Sequence, residues 1–193
     1  MDYNNYLKGE YPGIKIDDYH FSIIKSKRLR INARKLLKHI YTPDYCDFLE
    51  SFDKNINNMK VLHYHDDGKR KKYKINYNIF FNYGLPPFIR NIIMNMPINN
   101  FEEEGIIDYE KLTKKFDIHY NLLNKFDVDC KLMYKFEAID SKTCFYYIFI
   151  LVKTDSNRPM IKKFTKNRIN EKLNEIFTEV QNNIEGYVNS LHS

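Results

Sequence analysis

The sequence has no tryptophan, only three cysteines, and only six glycines and six prolines among 193 residues. Each shortage excludes a class of protein. Three cysteines (Cys46, Cys130, Cys144), none in a CxxC pair, give no disulfide framework and point to reduced thiols. So little glycine and proline rules out a collagen-like or low-complexity chain. No Gly/Ser linker or internal repeat divides the sequence, and its length favours one domain. The longest strongly apolar run, Phe145–Val152, has eight residues, far short of the ~20 that cross a bilayer as a helix. Met1 to Gly13 lacks the apolar stretch of a signal peptide, so a cytoplasmic chain is expected. No GxSxG, HExxH, Walker or GxGxxG pattern occurs, and no catalytic residue stands out.

What is abundant is phenol and phenyl: 16 tyrosines and 14 phenylalanines within a 43% hydrophobic, globular composition. The formal charge of +6 suggests an anionic partner, although AT-rich codons inflate lysine by themselves.

Patterning gives an α+β order. Residues 1–17 read as an arm and 18–193 as the folded domain. Tyr19 to Ile31 is strand-like. Asn32 caps a short helix to Tyr41, and Thr42-Pro43-Asp44 opens a second one carrying Tyr45, Phe48, Leu49 and Phe52 on one face. A hairpin follows, turning at Asp66-Asp67-Gly68, with Met59, Val61, His63 and His65 alternating against Lys60, Leu62 and Tyr64. Its return strand sets Tyr73, Ile75, Tyr77 and Ile79 against Lys72, Lys74, Asn76 and Asn78, as in a sheet covered on one face. Gly84 to Pro87 breaks that strand. Phe101–Leu112 and Lys115–Leu122 are further strands, and Phe126–Phe136 is the longest alternating stripe. Thr143–Lys153, apolar on both faces, is expected to be the most buried strand. After Arg158-Pro159 a helix of roughly thirty residues, ~45 Å long, carries a continuous apolar stripe from Ile169 to Leu191.

This order resembles the START-like helix-grip superfamily: lipid-transfer domains, ubiquinone-binding proteins and polyketide cyclases. The resemblance spans Tyr19 to Leu191. Its local features are Tyr45-Cys46-Asp47-Phe48-Leu49, the Leu85-Pro86-Pro87 break and the apolar C-terminal helix. It implies a curved antiparallel sheet of about six or seven strands around that helix, enclosing a cavity for an apolar molecule. Implied cavity residues are Tyr73, Ile75, Tyr77, Phe116, Ile118, Cys130, Leu132, Tyr134, Phe136, Tyr146, Ile148, Ile169, Leu173 and Phe177. Leu85, Pro86, Pro87 and Phe88 would form a lid. Patterning alone favours a solid core of these side chains; the resemblance reverses that preference.

Other signals are set aside or held open. His63 and His65 share a strand face, but no third ligand accompanies them, so no metal is expected. Asp66 and Asp67 are turn residues, and Cys130 reads as a small core residue. Basic residues cluster at Lys25 to Lys38, Lys69 to Lys74, and Lys162, Lys163, Lys166 and Arg168. All read as solvated faces; the last set could dock a monomeric chain on an anionic organelle membrane. The aromatics alternate into the sheet rather than onto a basic platform, which argues against nucleic acid. The leading expectation is binding, and transfer between membranes, of a lipid or other apolar ligand, with no cofactor. The alternatives are an interaction domain with a collapsed cavity and an enzyme acting on a polyketide or isoprenoid.

Overall fold

The computed structural model of the chain describes residues 3–11, 15, 19–79, 100–120, 128–154 and 177–192. Helix α1 (Tyr3–Glu10) precedes strand β1 (His20–Lys25), then helices α2 (Ala33–His39) and α3 (Pro43–Phe52). Strands β2 (Ile56–Asp66), β3 (Arg70–Ile79), β4 (Asn100–Asp108), β5 (Thr113–Tyr120), β6 (Val128–Ala138) and β7 (Cys144–Thr154) follow. Residues 177–190 form a last helix, α4. The seven strands make one curved antiparallel sheet in the order β1-β7-β6-β5-β4-β3-β2. From β1 onward the order read from the sequence is the order found among the described residues.

Local chemistry explains the boundaries. Asn32 Oδ1 accepts from the backbone N–H groups of Arg34 (3.0 Å) and Lys35 (3.1 Å), and Thr42 Oγ1 accepts from that of Tyr45 (3.3 Å). Each side chain satisfies donors that the first helical turn leaves unpaired. At the β2–β3 turn Asp66 and Asp67 accept backbone N–H bonds from Gly68, Lys69 and Arg70, and Gly68 sits at φ 81°. Only glycine adopts that backbone without a penalty.

The strict alternation expected of β2 breaks down. Register shifts between Asn57 and Lys60 and between Val61 and His63 mark bulges. Past the second one Tyr64 pairs with inward-facing Tyr73, while His63 and His65 pair with outward-facing Lys74 and Lys72. An extra residue in one strand moves every later side chain to the other face. Both histidines are exposed.

The two faces of the sheet are covered unequally. The inner face, under α2, α3 and α4, carries the main core, to which α4 contributes Phe177, Ile184, Tyr187 and Val188. Tyr187 meets Tyr45 edge-on at 4.8 Å, and Asn183 donates to Asp53 at 2.6 Å. Gly186 lets α3 approach, since a Cβ there would stand 2.6 Å from Phe52 Cζ. On the outer face α1 lays Leu7 over Met133, Phe149 and Leu151. It is fastened by Tyr11, which donates to the Leu132 carbonyl (2.8 Å), and by Glu10, 2.6 Å from Lys115. Part of the segment read as an arm is therefore this helix, and it explains why β7 is apolar on both faces.

One basic cluster needs correction. Within Lys69 to Lys74, Lys71 does not face solvent: it shares the inward face of Tyr73 and is fully buried. Its ammonium donates to the carbonyls of Leu37 (3.1 Å), Lys38 (2.7 Å) and Ile40 (2.9 Å). It thereby caps the C-terminal end of α2, where the helix dipole favours a cation.

Candidate functional site

The inward row of β4 is Phe101, Glu103, Gly105 and Ile107, so a carboxylate and a glycine interrupt an apolar face. In register, Gly105 lies opposite Tyr73 on β3 and Phe116 on β5, and Ile107 lies opposite Lys114. The missing side chain at Gly105 makes the site possible. A Cβ there would stand 2.3 Å from the Tyr73 hydroxyl and 2.5 Å from ring atom Cζ. With hydrogen in its place, the Tyr73 ring crosses the β4 backbone and its hydroxyl donates to Glu103 Oε1 at 2.6 Å. Tyr77, two residues along the same face, donates to Oε2 at 3.4 Å.

Lys114 reaches the same carboxylate from β5, with Nζ 2.8 Å from Glu103 Oε1. Lys114 is 1% exposed and Glu103 4% exposed, so this is an ion pair inside the fold. Among the described residues the ammonium meets no acceptor besides this carboxylate. Aromatic faces enclose it instead. Ring centroids lie 3.6 Å (Tyr41), 3.7 Å (Phe116), 4.9 Å (Tyr134) and 5.6 Å (Tyr73) away. Tyr41 is held in this cage by a left-handed backbone at φ 59°, costly for a bulky residue, and it stacks on Tyr73 at 4.5 Å.

Burial pushes the Lys114 ammonium down to about 8, against the pull of Glu103. Burial also raises Tyr41, Tyr45, Tyr73, Tyr77 and Tyr134 well above the ordinary phenol value, so their hydroxyls stay protonated and able to donate. Tyr146, on β7, is fully buried, and its hydroxyl has no partner among the described residues. The interior thus combines an acceptor, a primary amine and several phenolic donors, all walled by rings.

Of the residues expected to line a cavity, Tyr73, Ile75, Tyr77, Phe116, Leu132, Tyr134, Phe136, Tyr146, Ile148 and Phe177 share one buried cluster. Ile118 and Cys130 are described as strand positions only. Ile169, Leu173, the lid residues Leu85 to Phe88, and Lys162, Lys163, Lys166 and Arg168 lie outside the described residues. Sequence reading missed Glu103, Gly105, Lys114 and Tyr41. The signal for Lys114 was its parity: it precedes Phe116 and Ile118 on the same strand face. Among the described residues no helix is long and apolar enough to cross a membrane, and no three potential ligands are placed to hold a metal.

Compared by sequence, the chain matches no family model and no curated protein. Its fold matches solved structures. The Zhui aromatase/cyclase from Streptomyces sp. R1128 superposes with TM-score 0.60 at 8% identity, over 88% of this chain and 94% of that one. Norcoclaurine synthase from Thalictrum flavum gives 0.58 at 12% identity, over 90% and 89% of the two chains. Ara h 8.0201 gives 0.58 at 14%, over 89% and 99%. A seven-stranded antiparallel sheet curved around a C-terminal helix is common to them, and by that architecture this chain has the START-like helix-grip fold.

Proposed function

We propose that the chain holds an apolar small molecule, a lipid or a compound of similar character, between the sheet and α4. The ligand's polar end lies at Glu103, Lys114, Tyr73 and Tyr77. The observation that carries this reading is the interior ion pair with unspent donors. A core meant only to be solid is better served by apolar side chains, since replacing a buried pair with them is often neutral or stabilising by about 1–4 kcal/mol. Here the Lys114 ammonium meets only Glu103, and the Tyr146 hydroxyl has no hydrogen-bonded partner among the described residues; a ligand's oxygen atoms would supply more. The aromatic walls desolvate its body at roughly 25 cal/mol per Å2.

Native mass spectrometry of the purified chain tests this. A co-purified small molecule that is lost in Lys114→Met supports it. A bare mass, unchanged after exposure to a lipid extract, supports the interaction domain with a collapsed interior.

Transfer between membranes is the fuller form of the reading. Lys25, Lys27, Arg28, Arg30, Arg34, Lys35 and Lys38 are all exposed within one stretch, a charge density suited to anionic headgroups. Binding to anionic liposomes that falls steeply from low to physiological salt supports it; equal binding to neutral liposomes removes the electrostatic role.

An enzyme acting on a polyketide or isoprenoid is the second reading, favoured by the same polar pair deep in the interior. A ligand released with a changed mass would mark turnover.

A further inference from the structure

We propose that the outer flank of the β2–β3 hairpin docks on an anionic phospholipid surface and holds it more tightly as pH falls, through His63 and His65. This rests on the transfer reading and adds to it where contact is made and what regulates it.

The patch exists because of a bulge. Val61 pairs with inward-facing Ile75, so plain alternation would carry His63 and His65 toward the core. The register shift between Val61 and His63 instead sends Tyr64 to the inner side, opposite Tyr73. Both histidines come to the outer side, His63 opposite Lys74 and His65 opposite Lys72. Re-aiming side chains in this way is a common use of a bulge. Cross-strand neighbours stand ~5 Å apart and alternate residues ~7 Å, so two imidazoles and two lysines share one small block. Lys60, opposite Asn76, continues the row.

The surrounding charges make this block respond to acid. Lys74 is held by Glu102 at 2.8 Å and stands opposite Glu104, and Arg70 is held by Asp108 at 3.0 Å. At the turn, Asp66 and Asp67 accept backbone N–H bonds from Gly68, Lys69 and Arg70, and Asp66 also accepts from the Tyr109 hydroxyl. From α3, the other element packed against β2, Glu50 accepts from the Asn58 N–H. Lys60 and Lys72 have no carboxylate partner among the described residues. Cations and carboxylates therefore nearly cancel while the imidazoles are neutral. Histidine is the side chain that ordinarily gains its charge between pH 8 and 5, and two such charges tip the flank positive.

Two observations favour a membrane over a soluble acidic partner. Leu62 (52% exposed) and Tyr64 (41% exposed) stand on the same strand, an apolar and an aromatic side chain suited to the headgroup layer. The cations are also spread along the strands rather than converging on one point, which fits a field of headgroups better than a single phosphate. Each added cation near such a surface raises affinity about fivefold, so the pair should give roughly a tenfold rise between pH 7.5 and 5.5.

The test sediments the full chain with phosphatidylcholine vesicles, with and without phosphatidylserine, at both pH values. Binding to the phosphatidylserine vesicles is expected to rise about tenfold in acid. The double variant His63→Gln with His65→Gln should stay near the neutral-pH affinity. Both positions are exposed, so the fold should survive, and an unchanged urea midpoint checks it. His20, His39, His119 and His192 remain in that variant, so a rise that persists assigns the effect elsewhere and overturns the proposal. An equal rise on pure phosphatidylcholine overturns it too, as does acid-dependent binding to poly-glutamate without binding to vesicles. Salt-sensitive vesicle binding with no pH dependence overturns the histidine flank and leaves the transfer reading standing. No vesicle binding at either pH overturns both.

Discussion

Replacing Lys114 by methionine keeps most of the side chain's volume and removes only its charge. Glu103, 4% exposed, is then left with two phenolic donors and no cation. At an effective dielectric of 20, the Coulomb attraction lost at 2.8 Å is about 6 kcal/mol. The chain need not lose all of it, because relaxation and water entry soften the loss of one buried partner. Breaking a buried pair from one side is accordingly expected to cost about 3–5 kcal/mol. Glu103→Gln should cost a similar amount, by stranding the ammonium among rings. The double variant removes both charges and should lie within about 2 kcal/mol of the parent, a coupling of several kcal/mol. Urea unfolding at pH 7 and 25 °C measures all four proteins. Single variants that each cost under about 1 kcal/mol and simply add would refute the reasoning, by showing that the pair is already hydrated and effectively outside the core.

The other expectations can be checked alongside. Gly105→Ala should cost about 1–3 kcal/mol by pushing the Tyr73 ring off the β4 backbone; Tyr73→Phe should not relieve it, because the ring itself is in the way, whereas Tyr73→Leu should. Phe177→Ala, a helix residue buried in the main core, should cost about 3–5 kcal/mol in denaturant unfolding; an unchanged midpoint would detach the helix from the core. Stability should rise between pH 8 and 10 by about 1–3 kcal/mol. Lys71 and Lys114, both lowered to about 8 by burial, lose their protons earlier in the folded than in the unfolded chain, so the cost of burying them charged is relieved as pH climbs. Above pH 10 the sign reverses, because the buried tyrosines ionise only on unfolding; thermal melts that decline steadily from pH 7 would contradict the assignment.

The fold was legible because its signals are local and repeated. Asn32 and Thr42 are side chains that start helices wherever they occur before an apolar period, and Tyr73-Ile75-Tyr77 could alternate only as a strand with one wet face. The site was less legible because it breaks those rules. Glu103 and Gly105 replace the apolar residues that would mark the inner face of β4, so the strand carries no apolar stripe where it matters most. Lys71 and Lys114 were hidden by composition: in a lysine-rich sequence a buried lysine looks like any other until the parity of its strand is followed. The bulges of β2 cannot be read from alternation at all, since alternation is what they interrupt.

Those bulges bear on how the chain behaves in a crowd of its own copies. An open sheet ends in two strands whose outward N–H and C=O groups can accept another chain, and such rims are where fibres begin. At one rim β1 has six residues, too short to template a long ladder. At the other, β2 has eleven, but its register slips twice and it ends among His63, His65 and Asp66. A straight strand laid along it would meet matched hydrogen-bonding groups for only a few residues before falling out of step. Leu62 and Tyr64, exposed on that rim, would otherwise be an adhesive pair. Irregular backbone rather than charge alone keeps this aromatic-rich sheet from extending edge to edge.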